Sequence, residues 1–166
     1  MSETNQEIRM EIKGLMLDPT SNVPIVILRD LESDLFLPIW IGGFEAHAIA
    51  LRIEGVEVPR PLTHDLLRAV VEQLGAAVEK IVISDLRDNT FFALIHLTHE
   101  SGALTVDSRP SDAIALALRT EAPIFVLRSV LEKAQAVDLA SQASDDEKLR
   151  KWLEEMSPED LGKYTM

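Results

Sequence analysis

Two short stretches constrain the fold more than anything else in this chain: residues 44–53 and 111–119 are apolar or small at nearly every position. Alanines at 46, 48 and 50 in the first, and at 113, 115 and 117 in the second, favour helix. A helix that is apolar nearly all round has to be buried. Both stretches are far shorter than the ~20 residues a membrane-spanning helix needs, so the helices must pack on other elements of the same domain.

The other elements read mostly as strands. Ile8, Met10 and Ile12 alternate with Arg9, Glu11 and Lys13, the pattern of a half-buried strand. Residues 18–22, rich in Asp, Pro and Asn, supply a tight reversal into a second strand at 23–28, predicting a hairpin. After a polar turn at 30–34, residues 35–41 are apolar enough for a strand buried on both faces. Residues 77–86 and 90–98 form another strand pair, joined through Arg87-Asp88-Asn89. Strands at 103–107 and 123–126 and a short helix at 129–134 complete the pattern. Thr63 is the expected N-cap of one further helix, with Leu66, Leu67, Val70, Val71 and Leu74 on one side and Gly75 at its end.

The fold class is therefore α+β: an antiparallel or mixed sheet with hairpins and buried alanine-rich helices, plus a C-terminal helical tail. Residues 1–134 form the domain. Residues 135–166 read as a linker and an acidic amphipathic helix, opened by a Ser144–Glu147 capping box and striped with Leu149, Trp152, Leu153 and Met156. Such a stripe suits docking on the domain or on a protein partner. Small residues on the buried helices permit close approach and suit a homo-oligomer, with a dimer favoured.

No cysteine is present, which removes disulfides, thiolate metal sites and a cysteine nucleophile. The polar, acidic first residues do not resemble a signal peptide, and the expected location is the cytoplasm with no membrane association.

Three segments carry a resemblance. Pro38-Ile39-Trp40-Ile41-Gly42-Gly43-Phe44-Glu45-Ala46, Pro59-Arg60-Pro61-Leu62-Thr63-His64-Asp65-Leu66 and Asp107-Ser108-Arg109-Pro110-Ser111-Asp112-Ala113-Ile114-Ala115-Leu116 resemble, in order and spacing, the signature stretches of the bifunctional nuclease family. The likeness covers residues 8–134. It implies an α+β fold and hydrolysis of RNA and DNA. His47 stands where small residues are common in that family, within the first helix.

Phosphodiester hydrolysis needs an activated water and stabilisation of charge on phosphate. Carboxylates holding a divalent metal, and arginines gripping phosphate, can supply both. The matched blocks offer Glu45, His64, Asp65, Asp107 and Asp112 as catalytic candidates and Arg60 and Arg109 as phosphate clamps. Glu45, Asp65 and Asp112 are the candidate ligands of Mg²⁺ or Mn²⁺. Each acid also has a structural reading: Glu45, Asp65 and Asp112 sit in first helical turns, where a carboxylate meets the helix dipole, and Arg109 can neutralise Asp107, Asp112 or Glu45. Arg60 between two prolines can serve a turn or a subunit contact, and His64 can bond a backbone carbonyl.

A formal net charge of −12 opposes general affinity for nucleic acid, which relies on Lys and Arg displacing phosphate counterions. A nuclease of this composition requires a local arginine cleft, a metal, or modest affinity. Two other functions fit the same residues: a non-catalytic ligand-binding or regulatory homo-oligomer, and a phosphodiesterase of small substrates. Ser111 lacks a Gly-x-Ser-x-Gly elbow, and His96 and His99 do not make a metal-site spacing.

Overall fold

Alternating side chains commit the N-terminal segment to a meander. In the computed structural model, which describes residues 5–134 and 137–138, β1 (Glu7–Leu17), β2 (Pro24–Asp30) and β3 (Leu35–Trp40) pair antiparallel in sequence order. The β1–β2 reversal is fastened by Asp18, whose Oδ1 accepts the Thr20 and Ser21 N–H groups while Oδ2 accepts the Trp40 indole N–H at 2.8 Å. Burial opposes charge on Asp18, but those bonds outweigh it and hold the carboxyl below its ordinary range. Trp40 is thus a core residue with a satisfied ring nitrogen.

A second meander follows α1 (Gly43–Ile53) and α2 (Thr63–Gln73): β4 (Ala77–Arg87), β5 (Thr90–His99) and β6 (Gly102–Ser108). Asp88 and Asn89 both take positive φ, as a two-residue hairpin loop of this hand demands. The chain then runs through α3 (Pro110–Thr120) into β7 (Ile124–Leu127), which lies parallel to β4 and antiparallel to β1 and so fuses both meanders into one mixed sheet. The order is β6-β5-β4-β7-β1-β2-β3-β8, where β8 is the two-residue pairing of Val137–Asp138 with Phe36 and Leu35. Those two residues fall inside the stretch read from sequence as a linker. The helix expected at 129–134 is α4 (Arg128–Lys133). The stripe of Leu149, Trp152, Leu153 and Met156 lies outside the described residues.

The helices divide sharply in burial. α3 is covered nearly all round, from Pro110 and Ser111 to Arg119, and lies on β4 and β5. Pro110 at its first position needs no hydrogen bond there. α1 departs from the fully buried helix its composition predicts. Only Ala46, Ala48 and Ile49 are buried, and Phe44 is 92% exposed. α2 departs further: His64 is its one buried residue, and Leu66, Leu67, Val70 and Leu74 of the expected inner stripe face solvent. The physical reason is occupancy. α3 already covers the sheet there, so α2 rests on α3 and leaves its apolar side uncovered. Its N-cap is Leu62, not Thr63, and the Asp65 carboxylate closes the helix start by accepting the Leu62 N–H at 2.9 Å.

Candidate functional site

Four side chains from the three matched segments meet where the N-termini of α1, α2 and α3 converge. Arg109, the residue before α3, donates Nη2–H to Glu45 Oε1 at 2.7 Å and Nε–H to Asp112 Oδ2 at 2.8 Å. The other Asp112 oxygen lies 2.8 Å from His64 Nε2. The result is one chain, Glu45–Arg109–Asp112–His64, crossing three helices.

Each link follows from local structure. Glu45 is in the first turn of α1 and folds back over Gly42, where a Cβ would collide with its carboxylate. Asp112 occupies the first turn of α3, which places it three residues from Arg109. His64 is buried in the first turn of α2, aimed at α3. The two carboxylates bonded to Arg109 outweigh the desolvation that would ease proton loss, and the guanidinium pKa is raised further. Arg109 nevertheless keeps 52% of its side chain exposed, so screening by water limits what these pairs add to stability.

The chain forms part of the wall of a cleft of about 610 Å³, completed by Phe44, His47, Pro61, Leu62 and Leu66 among others. His47 is the residue that sequence reasoning passed over. Its signal is helical spacing: three residues after Phe44 and one before Ala48, it shares the side of α1 that faces the cleft.

The other candidates lie elsewhere. Asp65, next to His64, accepts from Arg119 Nε at 2.7 Å. Arg119 is 2% exposed and also donates to the Ala115 and Ala48 carbonyls at 2.9 and 3.0 Å, tying α3 to α1 and α2. Burial disfavours the Asp65 charge, but the Leu62 N–H and the Arg119 guanidinium overcome it and depress the carboxyl pKa. Asp107 is exposed on β6 opposite Leu94, one residue out of phase with Val106 and Ile95, and does not line the cleft. Arg60 lies on the far side of Pro61, in a neighbouring cleft. Ser111 is wholly buried, which removes it as a nucleophile.

Each of the three acids expected as metal ligands faces a cation of the protein itself. The Arg109 cation already sits between Glu45 and Asp112, and Asp65 faces Arg119. Among the described residues no three His, Asp or Glu side chains gather as ligands. His96 and His99 form no such group either, and His99 Nδ1 bonds Ser101.

The sequence of residues 26–138 matches the profile of the Bifunctional nuclease domain. A Mycobacterium tuberculosis protein named only as uncharacterised is 40% identical, over 92% of this chain and 96% of its own. Bifunctional nuclease 1 of Oryza sativa subsp. japonica is 26% identical over 78% of this chain, which spans 42% of the rice protein. Bifunctional nuclease 2 of Arabidopsis thaliana is 27% identical over 61% of the chain and 32% of its own length. No helix among the described residues is long and apolar enough to cross a membrane.

Proposed function

The chain belongs to the bifunctional nuclease domain family, and from that premise we propose that it hydrolyses phosphodiester bonds of RNA or DNA at the Glu45–Arg109–Asp112–His64 chain. The observation that carries this reading is the meeting of residues from three separated segments on one cleft.

The roles follow from the hydrogen bonds. With Nε2–H donated to Asp112, His64 keeps the Nδ1 lone pair for a proton from water or a ribose hydroxyl. Asp112 fixes that tautomer and the orientation of the ring. Arg109, gripped by two carboxylates, keeps its remaining N–H groups for charge that develops on phosphate. Glu45 positions Arg109. His47, exposed on the same cleft, is the donor for the leaving oxygen. Two carboxylates against one guanidinium leave this cleft with a formal charge of −1 while His64 is neutral, so substrate affinity has to come from beside it. No step is routed through a metal. The test is cleavage of end-labelled single-stranded RNA and DNA by the wild type and by Arg109→Ala of unchanged fold: activity that survives the substitution undiminished removes the reading.

A second property has its own observation. The uncovered Leu66, Leu67, Val70 and Leu74 on α2 suit a second copy of the chain, since an isologous contact buries the same patch twice. Edge strand β6, exposed along Gly102–Asp107 with Leu104 and Val106 on the side of Ile95, carries apolar surface of its own. Sedimentation should give a dimer for the wild type and a monomer for Leu66→Glu/Val70→Glu; a monomeric wild type at micromolar concentration removes this proposal.

A further inference from the structure

The cleft beyond Pro61 has an unusual inventory for so acidic a chain. It encloses about 550 Å³ and is lined by three arginines, Arg52, Arg60 and Arg119, against two acids, Glu57 and Asp65. One of those acids is committed: Asp65 pairs with buried Arg119 and caps α2. Arg119 uses three of its five N–H donors on Asp65, Ala48 and Ala115, and its charge is fixed in the cleft lining. Arg52 and Arg60, by contrast, make no hydrogen bond or salt bridge among the described residues. Arg52 acts on Asp65 only through its field, so two guanidiniums with uncommitted N–H donors line one hollow, in a chain with 28 Asp and Glu against 16 Lys and Arg.

The backbone explains how that place is held. Arg52 lies in the last turn of α1, and Gly55 at φ +66° lets the chain turn back after the helix. Pro59 and Pro61 bracket Arg60, restricting its backbone before any ligand arrives. Guanidinium forks match phosphate oxygens bidentately and remain charged at every physiological pH. Pro61 lines both clefts, so a chain of phosphates could lie across it from one to the other.

We infer that the Arg52–Arg60–Arg119 cleft binds a phosphate group. Taking that phosphate to be part of the strand cleaved next door rests on the nuclease reading; the binding of phosphate does not. Arg52, outside all three matched segments, becomes a substrate-binding residue that joins Arg60, itself expected as a phosphate clamp, while Arg109 serves the phosphate in the neighbouring cleft. The subsite supplies the attraction that the neighbouring −1 cleft lacks.

Calorimetric titration of the full chain with inorganic phosphate, and of Asp112→Asn with a short single-stranded DNA across a salt series, tests the inference. Arg52→Ala/Arg60→Ala should weaken phosphate binding at least tenfold. In the Asp112→Asn background it should flatten the log–log salt slope for the oligonucleotide by about 0.7 per arginine, with circular dichroism unchanged. Loss of phosphate binding with unchanged oligonucleotide binding keeps the subsite and assigns it a free phosphate or small phosphate ester. Unchanged binding of both probes, or no phosphate binding by the wild type, overturns it. A wild type that cleaves no strand yet loses phosphate binding in the double variant refutes the nuclease reading alone.

Discussion

Arg119→Leu should destabilise the fold by about 3 kcal/mol near neutral pH. The side chain is 2% exposed and makes three hydrogen bonds, two to backbone carbonyls and one to Asp65. Removing one member of a buried pair costs roughly 3–5 kcal/mol. The lower end applies because Asp65 is 26% exposed and keeps the Leu62 N–H, so water can reach part of the stranded charge. The loss also depends on pH, with a defined sign. The folded-state pKa of Asp65 lies below the ordinary carboxylate value, so its contribution is present above the unfolded pKa and fades as pH falls through the folded one. The Leu62 N–H and the Arg119 guanidinium both contribute to that depression, and the variant loses the second. The gap in stability between wild type and variant should therefore be widest at pH 6–7 and narrow steadily below pH 4. Urea melts followed by far-ultraviolet circular dichroism, at several pH values, measure both quantities. A loss below about 1 kcal/mol, or a gap that stays constant between neutral pH and pH 3, would refute the argument that Arg119 and Asp65 bind α3 to its neighbours as an ion pair.

Three further outcomes are expected. Gly42→Ala puts a Cβ against the Glu45 carboxylate, a movable group, so the melting temperature should change by only a few degrees while cleavage drops roughly tenfold as Arg109 loses an anchor. Asp18→Ala removes the acceptor for the Trp40 indole and for two backbone amides, and should cost about 1–3 kcal/mol with an altered Trp40 emission; no change in either would show that the buried turn does not depend on that carboxylate. Chelator should leave cleavage intact, because Arg109 occupies the space between Glu45 and Asp112; activity abolished by chelator and restored by Mg²⁺ would mean that those acids regroup around a cation.

What could be read in the sequence, and what could not, divides along a physical line. Period-two alternation identifies strands and their inner faces, so Ile8, Met10 and Ile12 and the Asp88-Asn89 turn were legible, and so was the all-apolar α3. Periodicity does not say what covers an apolar face. The stripe on α2 looks like a core face, yet α3 already holds the sheet beneath it. The convergence of Glu45, Arg109, Asp112 and His64 was legible only through the matched segments, since no local spacing joins residue 45 to residue 112. Asp65 shows the limit of that route. It neighbours His64 in sequence but turns one helical step away, toward Arg119 in α3. Arg52 and Arg60 share a cleft because of the fold-back at Gly55, and nothing in their spacing indicated it.

The central claim, that the imidazole and carboxylate pair facing the cleft performs hydrolysis, is tested most directly by the rate of strand scission in Asp112→Asn, prepared and folded alongside the wild type. An amide at that position keeps much of the shape but can no longer fix the tautomer of His64, and the rate should fall by roughly a hundredfold or more. Equal rates for the two proteins, on both RNA and DNA, would contradict the claim.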